Sequence, residues 1–159
     1  MRIPVLLALA LLAAAPAAAA PARALFLGFT VIDMSLGGSQ EAEERRAEMI
    51  GRRLVDSLTE AGRYAFVDPA PVAEQAARYA NPAHCNGCDS AFARDVGAEV
   101  AITGEVQKTS NLILHISVYL RDAETGALIG GGSADIRGNT DESWRRGIDF
   151  IVERRLLKD

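Results

Sequence analysis

Chemically reactive side chains are scarce in this chain of 159 residues, which contains two cysteines and two histidines. It has neither the G-x-x-x-x-G-K-[ST] pattern of a phosphate-binding loop nor the G-x-S-x-G turn of an α/β-hydrolase nucleophile. The glycine triplet at residues 130–132 lies inside a strand-like run, which predicts a bulge or close packing against a helix. No complete set of acid, base and nucleophile is present, so we expect a non-catalytic protein that uses no cofactor.

A long hydrophobic run is also missing, because the apolar stretch at the start is too short to span a bilayer. The opening residues, MRIPVLLALALLAAAPAAAAPARA, combine Arg2, an apolar run and small residues that offer several A-x-A cleavage sites. We predict a signal peptide over residues 1–22, cleaved near 19–22, and a single exported domain over residues 23–159. A spanning helix needs about 20 apolar residues, and no cysteine lies near the cleavage region for lipid attachment. We therefore expect a periplasmic or secreted protein without stable membrane insertion after cleavage.

An excess of positive charge is absent as well. The chain has 17 Lys and Arg against 21 Asp and Glu, a net charge of −4. Loss of Arg2 with the leader would make the net charge −5. Proteins that bind nucleic acids need clustered basic side chains to displace the counterions of the phosphates. The charge balance therefore excludes a nucleic-acid partner.

The mature part has the pattern of one α/β domain. The continuous apolar run ALFLGFTVID predicts a central strand that is covered on both faces. The helix after it should end at Gly62. Its apolar face consists of Ala47, Ile50, Leu54, Leu58 and Ala61. A short strand over residues 63–68, a helix opened by Pro71, and a second short helix capped by Asp89 or Ser90 follow.

Three strand-like runs then occupy residues 98–108, 111–122 and 127–137. The middle run alternates between polar residues and an apolar series, Leu112, Leu114, Ile116, Val118 and Leu120. Joining the apolar faces requires even-numbered residues of the first two strands to pair, so the first turn must have an odd number of residues. We predict a three-residue turn at residues 109–111 with Asn111 in the left-handed region, and a five-residue turn ending at Gly126.

A final helix, from about residue 141 to 157, should be capped by Asn139 or Thr140. One side of this helix carries Trp144, Ile148, Ile151, Val152 and Arg155. The fold class is therefore a single layered α/β domain. It has a mixed sheet of about five strands with a three-strand antiparallel meander, and helices packed on one or both faces.

The two cysteines lie in the segment HCNGCD, and in an oxidising compartment Cys85 and Cys88 most simply form a disulfide. A redox role would have some support if Cys88 lies near a helix start, where the pKa of a thiol falls. A redox motif of the thioredoxin type, however, should follow an early strand. A metal site with His84 and Asp89 would need reduced thiols.

The other histidine, His115, shares a strand face with Ser117 and could face Glu105 or Ser133 across the sheet. A solvated or hydrogen-bonded histidine is the simpler interpretation, because no oxyanion loop accompanies the pair. This polar sheet face is the basis of two alternatives, a small-molecule or metal binding module and a hydrolase or thiol-redox enzyme.

Several segments resemble known families. LGFTVID, LTEAGRYAFVD and VGAEVAITGEV resemble the TolB amino-terminal domain and the CsgG-like periplasmic domains. The second half, GEVQKTSNLILHISVYLRDAETG followed by SADIRGNTDESWRRGIDFIVERRLL, resembles a family of secreted bacterial proteins that is defined only as a domain of unknown function. The resemblance implies an exported domain with a role in envelope assembly, transport or protein contact. The chain lacks the TolB propeller and the lipid-attachment cysteine and membrane strands of the curli pore, so those particular roles do not carry over.

The remaining candidate site is a polar corner formed where the first turn of the meander meets the segment before the last helix. In a simple meander these two segments lie at the same end of the sheet, and Arg137 should either pair with Asp141 or receive an acidic group from a partner. We predict that the corner binds another envelope or periplasmic protein. The candidate residues are Lys108, Ser110, Asn111, Arg137, Asn139, Asp141 and Arg145.

Overall fold

The computed structural model describes residues 20–35 and 41–158 and has the expected α/β architecture. Most of the predicted signal peptide lies outside these residues. The strands are β1 (Ala22–Asp33), β2 (Tyr64–Phe66), β3 (Val100–Lys108), β4 (Ile113–Asp122) and β5 (Leu128–Arg137). The helices are α1 (Glu41–Glu60), α2 (Ala70–Ala76), α3 (Cys88–Asp95) and α4 (Asp141–Ile151). A 3-10 turn at Pro82–His84 precedes α3, and a π turn at Val152–Leu156 extends α4.

The five strands form one mixed sheet in the order β2-β1-β3-β4-β5. Strand β1 is parallel to β2 and β3, while β3, β4 and β5 form the predicted antiparallel meander. Helices α1 and α4 cover one face, where the main core surrounds Trp144. Helices α2 and α3 cover the β1 and β3 part of the other face with a smaller core around Leu25 and Phe92. Among the described residues, no helix is both long and apolar enough to cross a membrane.

Strand β1 is less central than its apolar sequence predicted. Strand β2 pairs only with residues Ala22 to Ala24, so the rest of β1 has a neighbour, β3, on one side only. The residues from Phe26 onward are half-buried instead of fully covered. A bulge between Phe26 and Phe29 contains Gly28 in the left-handed region, with φ 89°. The apolar composition of β1 predicted a covered strand correctly only for its first part. It could not show that β2 is too short to pair with the rest of β1.

The parity of the first hairpin is confirmed, because Ile102 pairs with Leu120 and Lys108 with Leu114. The turn is one residue further along than predicted: the Thr109 amide donates to the Ile113 carbonyl, which leaves Ser110 to Leu112 as the three turn residues. Asn111 does not have the predicted left-handed backbone. Leu112 is consequently in the turn and exposed, whereas its place in the alternation had predicted a buried strand residue.

The second hairpin has the predicted five residues between its strands, but they run from Ala123 to Ala127 because Asp122 still belongs to β4. Gly126 is left-handed, with φ 70°. The predicted close packing at the glycine triplet is also present. A Cβ on Gly132 would lie 2.6 Å from Arg155 Cβ at the end of the last helix, so a side chain there would displace this helix end.

The helix ends follow the capping signals with one correction. Gly62 is left-handed and ends α1, although Ala61 lies past the helix and is exposed. Thr140 caps α4 and forms a reciprocal capping box with Ser143. The prediction for α3 was wrong, because the capping residue is Gly87 and both Asp89 and Ser90 lie inside the helix. Helix α3 therefore begins at Cys88, after Gly87 in the left-handed region with φ 98°.

Candidate functional site

The structure brings together the two segments of the predicted corner. The Gly138 amide donates to the Leu112 carbonyl over 3.1 Å, and Asn139 Nδ2 lies 3.4 Å from Asn111 Oδ1. Both segments lie at the sheet end where β3 and β5 finish. The first turn and the entry to α4 are therefore in direct contact.

Lys108 lies beneath this corner and not on it. Its ammonium is 3.0 Å from Asp33 Oδ2 and 2.8 Å from Glu43 Oε1, and its side chain is only 5% exposed. The hydrogen bond to Glu43 and the one to Asp33 raise the pKa of Lys108 despite the opposing effect of burial. Lys108 therefore joins the ends of β1 and β3 to the first turn of α1, and it is not available to a partner.

Asn139 and Asp141 also have internal roles. Asn139 donates to Glu43 over 2.6 Å and accepts from the Trp144 indole over 2.9 Å. Asp141 pairs with Arg46 of α1 at 2.8 Å, so the predicted pairing of Asp141 with Arg137 was wrong. The hydrogen bond from Arg46 holds the pKa of Asp141 below its ordinary value. Sequence could not identify Arg46, because it lies 95 residues away in the chain.

The four remaining predicted site residues lie in three different environments. Ser110 Oγ accepts from the Leu112 and Ile113 amides and stabilises the turn. Arg145 lies elsewhere, in a groove between α4 and α1. Asn111 and Arg137 are exposed at the corner. Within residues 20–35 and 41–158, no carboxylate forms an ion pair with Arg137.

Three large apolar side chains at this end of the sheet were not predicted as site residues. Leu112 is 71% exposed, Met34 58% and Ile113 48%. The Met34 amide bonds to the Lys108 carbonyl, which places Met34 at the same sheet end as the turn. We call Met34, Leu112, Ile113 and Arg137 the corner surface. The one-residue shift of the turn explains why Leu112 was missed, because it moves this side chain from the core to the surface.

A second polar cluster surrounds the buried carboxylate of Glu105 on the other sheet face. Its oxygens accept from Asn81 Nδ2, Gln107 Nε2 and the Tyr119 hydroxyl, each at 3.0 Å, and lie 2.9 Å from His84 Nε2. Burial opposes ionisation, but these hydrogen bonds and the charge of His84 together lower the pKa of Glu105. This carboxylate is fully occupied by internal partners.

The disulfide is confirmed, since Cys85 and Cys88 are bonded across the start of α3. It lies next to His84, so the disulfide loop is attached to the sheet through Glu105. His115, which was expected to face Glu105 or Ser133, instead contacts Asp135 at 2.7 Å on an exposed strand face. No group of three or more His, Cys, Asp or Glu side chains in the described part of the chain could hold a metal ion.

Sequence comparison gives the family. Residues 22–156 match the DUF3280 family, whose description is "Protein of unknown function (DUF2380)". The chain belongs to this family. The expectation of an uncharacterised family is thus confirmed, whereas the resemblance to TolB and CsgG-like domains stays a prediction. No curated protein matches this DUF3280 chain in sequence.

Solved structures share the fold of this DUF3280 domain at low identity. The LpoB C-terminal domain from Salmonella enterica has a TM-score of 0.56 at 18% identity, covering 77% of this chain and 87% of that one. Lipoprotein GNA1162 from Neisseria meningitidis has a TM-score of 0.54 at 18% identity, covering 76% and 84%. The PelC dodecamer from Paraburkholderia phytofirmans has a TM-score of 0.51 at 15% identity, covering 86% and 89%. At such identities the likeness concerns the fold alone.

Proposed function

We propose that this DUF3280 domain is an exported, non-catalytic accessory protein that binds another envelope protein through the corner surface. The observation that carries the proposal is the exposure of Met34, Leu112 and Ile113 beside Arg137 at one end of the sheet. Exposed apolar side chains that cluster and are bordered by polar groups are typical of protein contact surfaces.

The chemistry of the corner surface defines the partner. An apolar side chain of the partner would pack on Leu112 and Ile113, and a carboxylate would pair with Arg137, whose guanidinium matches a carboxylate in two parallel hydrogen bonds. We therefore propose a partner segment that combines an apolar side chain with an Asp or Glu.

The buried network below the corner supports this role because it makes the surface rigid. Lys108 joins two strands to α1, and Asn139 joins α1 to the start of α4. A surface held by buried ion pairs loses little conformational entropy when a partner binds. In this proposal, Lys108 and Asn139 hold the backbone beneath the corner surface in place. The exposed apolar side chains of the corner surface contact the partner.

Location in the envelope is part of the same proposal. The predicted signal peptide and the disulfide both suit an oxidising, extracytoplasmic compartment. One of the proteins that share the fold is a lipoprotein, which is in keeping with an envelope setting.

A non-catalytic role is favoured by the state of the titratable groups. The carboxylate of Glu105 is occupied by four internal partners, and no serine, threonine or cysteine within residues 20–35 and 41–158 hydrogen-bonds to the side chains of His115 or Asp135. Thermal-shift measurements with metals and metabolites separate this proposal from a small-molecule site, because a ligand of the native state raises the melting temperature.

The test is site-specific photo-crosslinking in the native envelope. A photo-reactive residue replaces Leu112 in one strain and, in a matched control, Glu124, an exposed residue of the β4–β5 turn at the opposite end of the sheet. We expect the Leu112 position alone to give one defined adduct, whose partner is identified by mass spectrometry and purified. Leu112→Asp and Arg137→Glu should each weaken binding of that partner about tenfold, the effect of losing about 1.4 kcal/mol.

The control variant Glu124→Lys, which reverses a charge far from the corner, should bind the same partner with unchanged affinity. Equal adducts from both positions, or unchanged binding by the two corner variants, would exclude the corner surface.

A further inference from the structure

The sheet has open edges on both sides. No strand among residues 20–35 and 41–158 pairs with the outer side of β1 beyond Ala24, or with the outer side of β5. The Met34 amide bonds inward to β3 and the Gly138 amide bonds inward to β4. Because successive residues of a strand alternate in direction, the amides and carbonyls of Val31 and Ser133 point to the open sides. Unpaired edges of this kind accept further strands.

An apolar groove of about 650 Å³ accompanies the open edge of β1, between this strand and α1. Phe26 and Phe29 form its floor together with Gly51 of α1. A Cβ on Gly51 would lie 3.0 Å from the Phe26 ring. The absence of a side chain at Gly51 therefore lets this ring pack directly against α1. The outer rim is acidic because it carries Glu44, Glu48 and Asp56 against one arginine, Arg52.

The opposite edge of the molecule has complementary chemistry. Phe150 of α4 is 45% exposed beside β5, and Arg137 and Arg146 line the same groove between β5 and α4. Arg146 has only an exposed partner one helical turn away, Glu142. An exposed ion pair of this kind is weak and is easily exchanged. The α4 side of this edge thus presents an aromatic side chain and Arg146, while its β5 side carries Arg137 and Asp135.

We propose that the β5 edge of one copy of this chain docks head to tail on the β1 edge of a second copy, with Phe150 in the β1–α1 groove and Arg146 on its acidic rim. The contact rests on Phe150 and Arg146 and uses neither Leu112, Ile113 nor Arg137, so it is independent of the proposed partner surface.

Strand direction and register support this arrangement. β5 is antiparallel to β4, which is antiparallel to β3, so β5 runs in the same direction as β1. The register of the intervening strands places Thr30 in the same row as Ser133, and Asp33 in the same row as Ile136. Two copies placed side by side therefore continue one sheet in parallel.

The helices meet in the same arrangement. α1 and α4 cover the same face of the sheet, so α4 of one copy comes beside α1 of the next. The exposed aromatic side chain then faces the apolar groove, and Arg146 faces the acidic rim. A head-to-tail contact uses two different surfaces, and its repetition gives a closed ring or a filament.

The experiment cross-links two single-cysteine additions to the exported, disulfide-bonded chain, Thr30→Cys and Ser133→Cys, with a short bismaleimide. We expect a covalent dimer when the two variants are mixed, and monomer when either is treated alone, because a head-to-tail contact brings unlike positions together. Dimers formed by one variant alone would instead indicate a symmetric contact and would overturn the proposal, as would monomer in every sample.

Sedimentation supplies a second, independent readout. The unaltered chain should form concentration-dependent oligomers, Phe150→Asp should remain monomeric, and the corner variant Leu112→Asp should assemble like the unaltered chain. Normal assembly of Phe150→Asp would refute the docking mode, and a strictly monomeric unaltered chain would overturn the proposal as a whole. Neither result affects the proposed partner surface, whose test uses Leu112 and Arg137.

Discussion

The buried carboxylate of Glu105 should make a large contribution to stability, and Glu105→Gln measures it. In the native protein Oε1 accepts from Gln107 and Tyr119, and Oε2 lies against Asn81 and His84. In either orientation the amide of a glutamine places an NH₂ group, which cannot accept, against two of these groups, Asn81 and His84 or Gln107 and Tyr119. It also converts the remaining charge-assisted hydrogen bonds into neutral ones.

The magnitude follows from these two effects. A charge-assisted hydrogen bond contributes about 1.5–3 kcal/mol and a neutral one about 0.5–1.5, while an unpaired buried donor costs about 1–3 kcal/mol. The exposed ring of His84 can turn to water, which limits its share of the loss. We therefore expect Glu105→Gln to lower the free energy of unfolding by about 3 kcal/mol at pH 7.

The matched control is Asp135→Asn, because Asp135 also pairs with a histidine on the same sheet face. Its side chain is 85% exposed, whereas that of Glu105 is 2% exposed. Exposed pairs contribute little, so the control should change the free energy of unfolding by about 0.5 kcal/mol or less. Urea unfolding followed by the fluorescence of Trp144, which is buried, measures both variants.

The pH dependence has a defined sign. The pKa of Glu105 is lowered in the folded protein, so below the ordinary value of 4.5 the unfolded chain binds more protons than the folded one. The stabilisation is therefore complete above about pH 4.5 and is lost as the pH falls through the folded-state pKa. The difference between the native protein and Glu105→Gln should shrink on acidification. Equal effects of the Glu105 and Asp135 variants at pH 7, or a difference that grows in acid, would refute the reasoning.

Two further predictions concern packing and the disulfide. Gly147→Val should destabilise the protein by about 1–3 kcal/mol in the same urea assay, because even a Cβ at this position would lie 2.9 Å from Ile116 Cδ1; an unchanged or raised midpoint would contradict this packing. Cys85→Ser with Cys88→Ser should cost about 2 kcal/mol, since the bond closes a short loop. The reference for the double variant is the native chain under non-reducing conditions, and an unchanged urea midpoint would contradict this contribution of the disulfide.

The order of elements and the turn parity could be read from the sequence because they depend on neighbouring residues. The alternation around Ile116 required even residues to pair with even ones, and the structure has this register. Thr140 and Gly62 mark helix ends through their own backbone and side-chain groups. The turn position failed by one residue because parity fixes an odd number of residues but not where the turn begins.

The tertiary structure determined which polar side chains are buried in internal contacts and which are exposed. Lys108 is polar and ends a strand, which indicated an exposed site residue, but its carboxylate partners lie 75 and 65 residues away in the chain and are packed against it in a buried position. The same reason applies to Glu105, whose partners come from a loop and a neighbouring strand. Likewise, the sequence of β1 determined that it forms an apolar strand. Only the shortness of β2 left its outer edge open, because the pairing of a strand depends on the length of its neighbour.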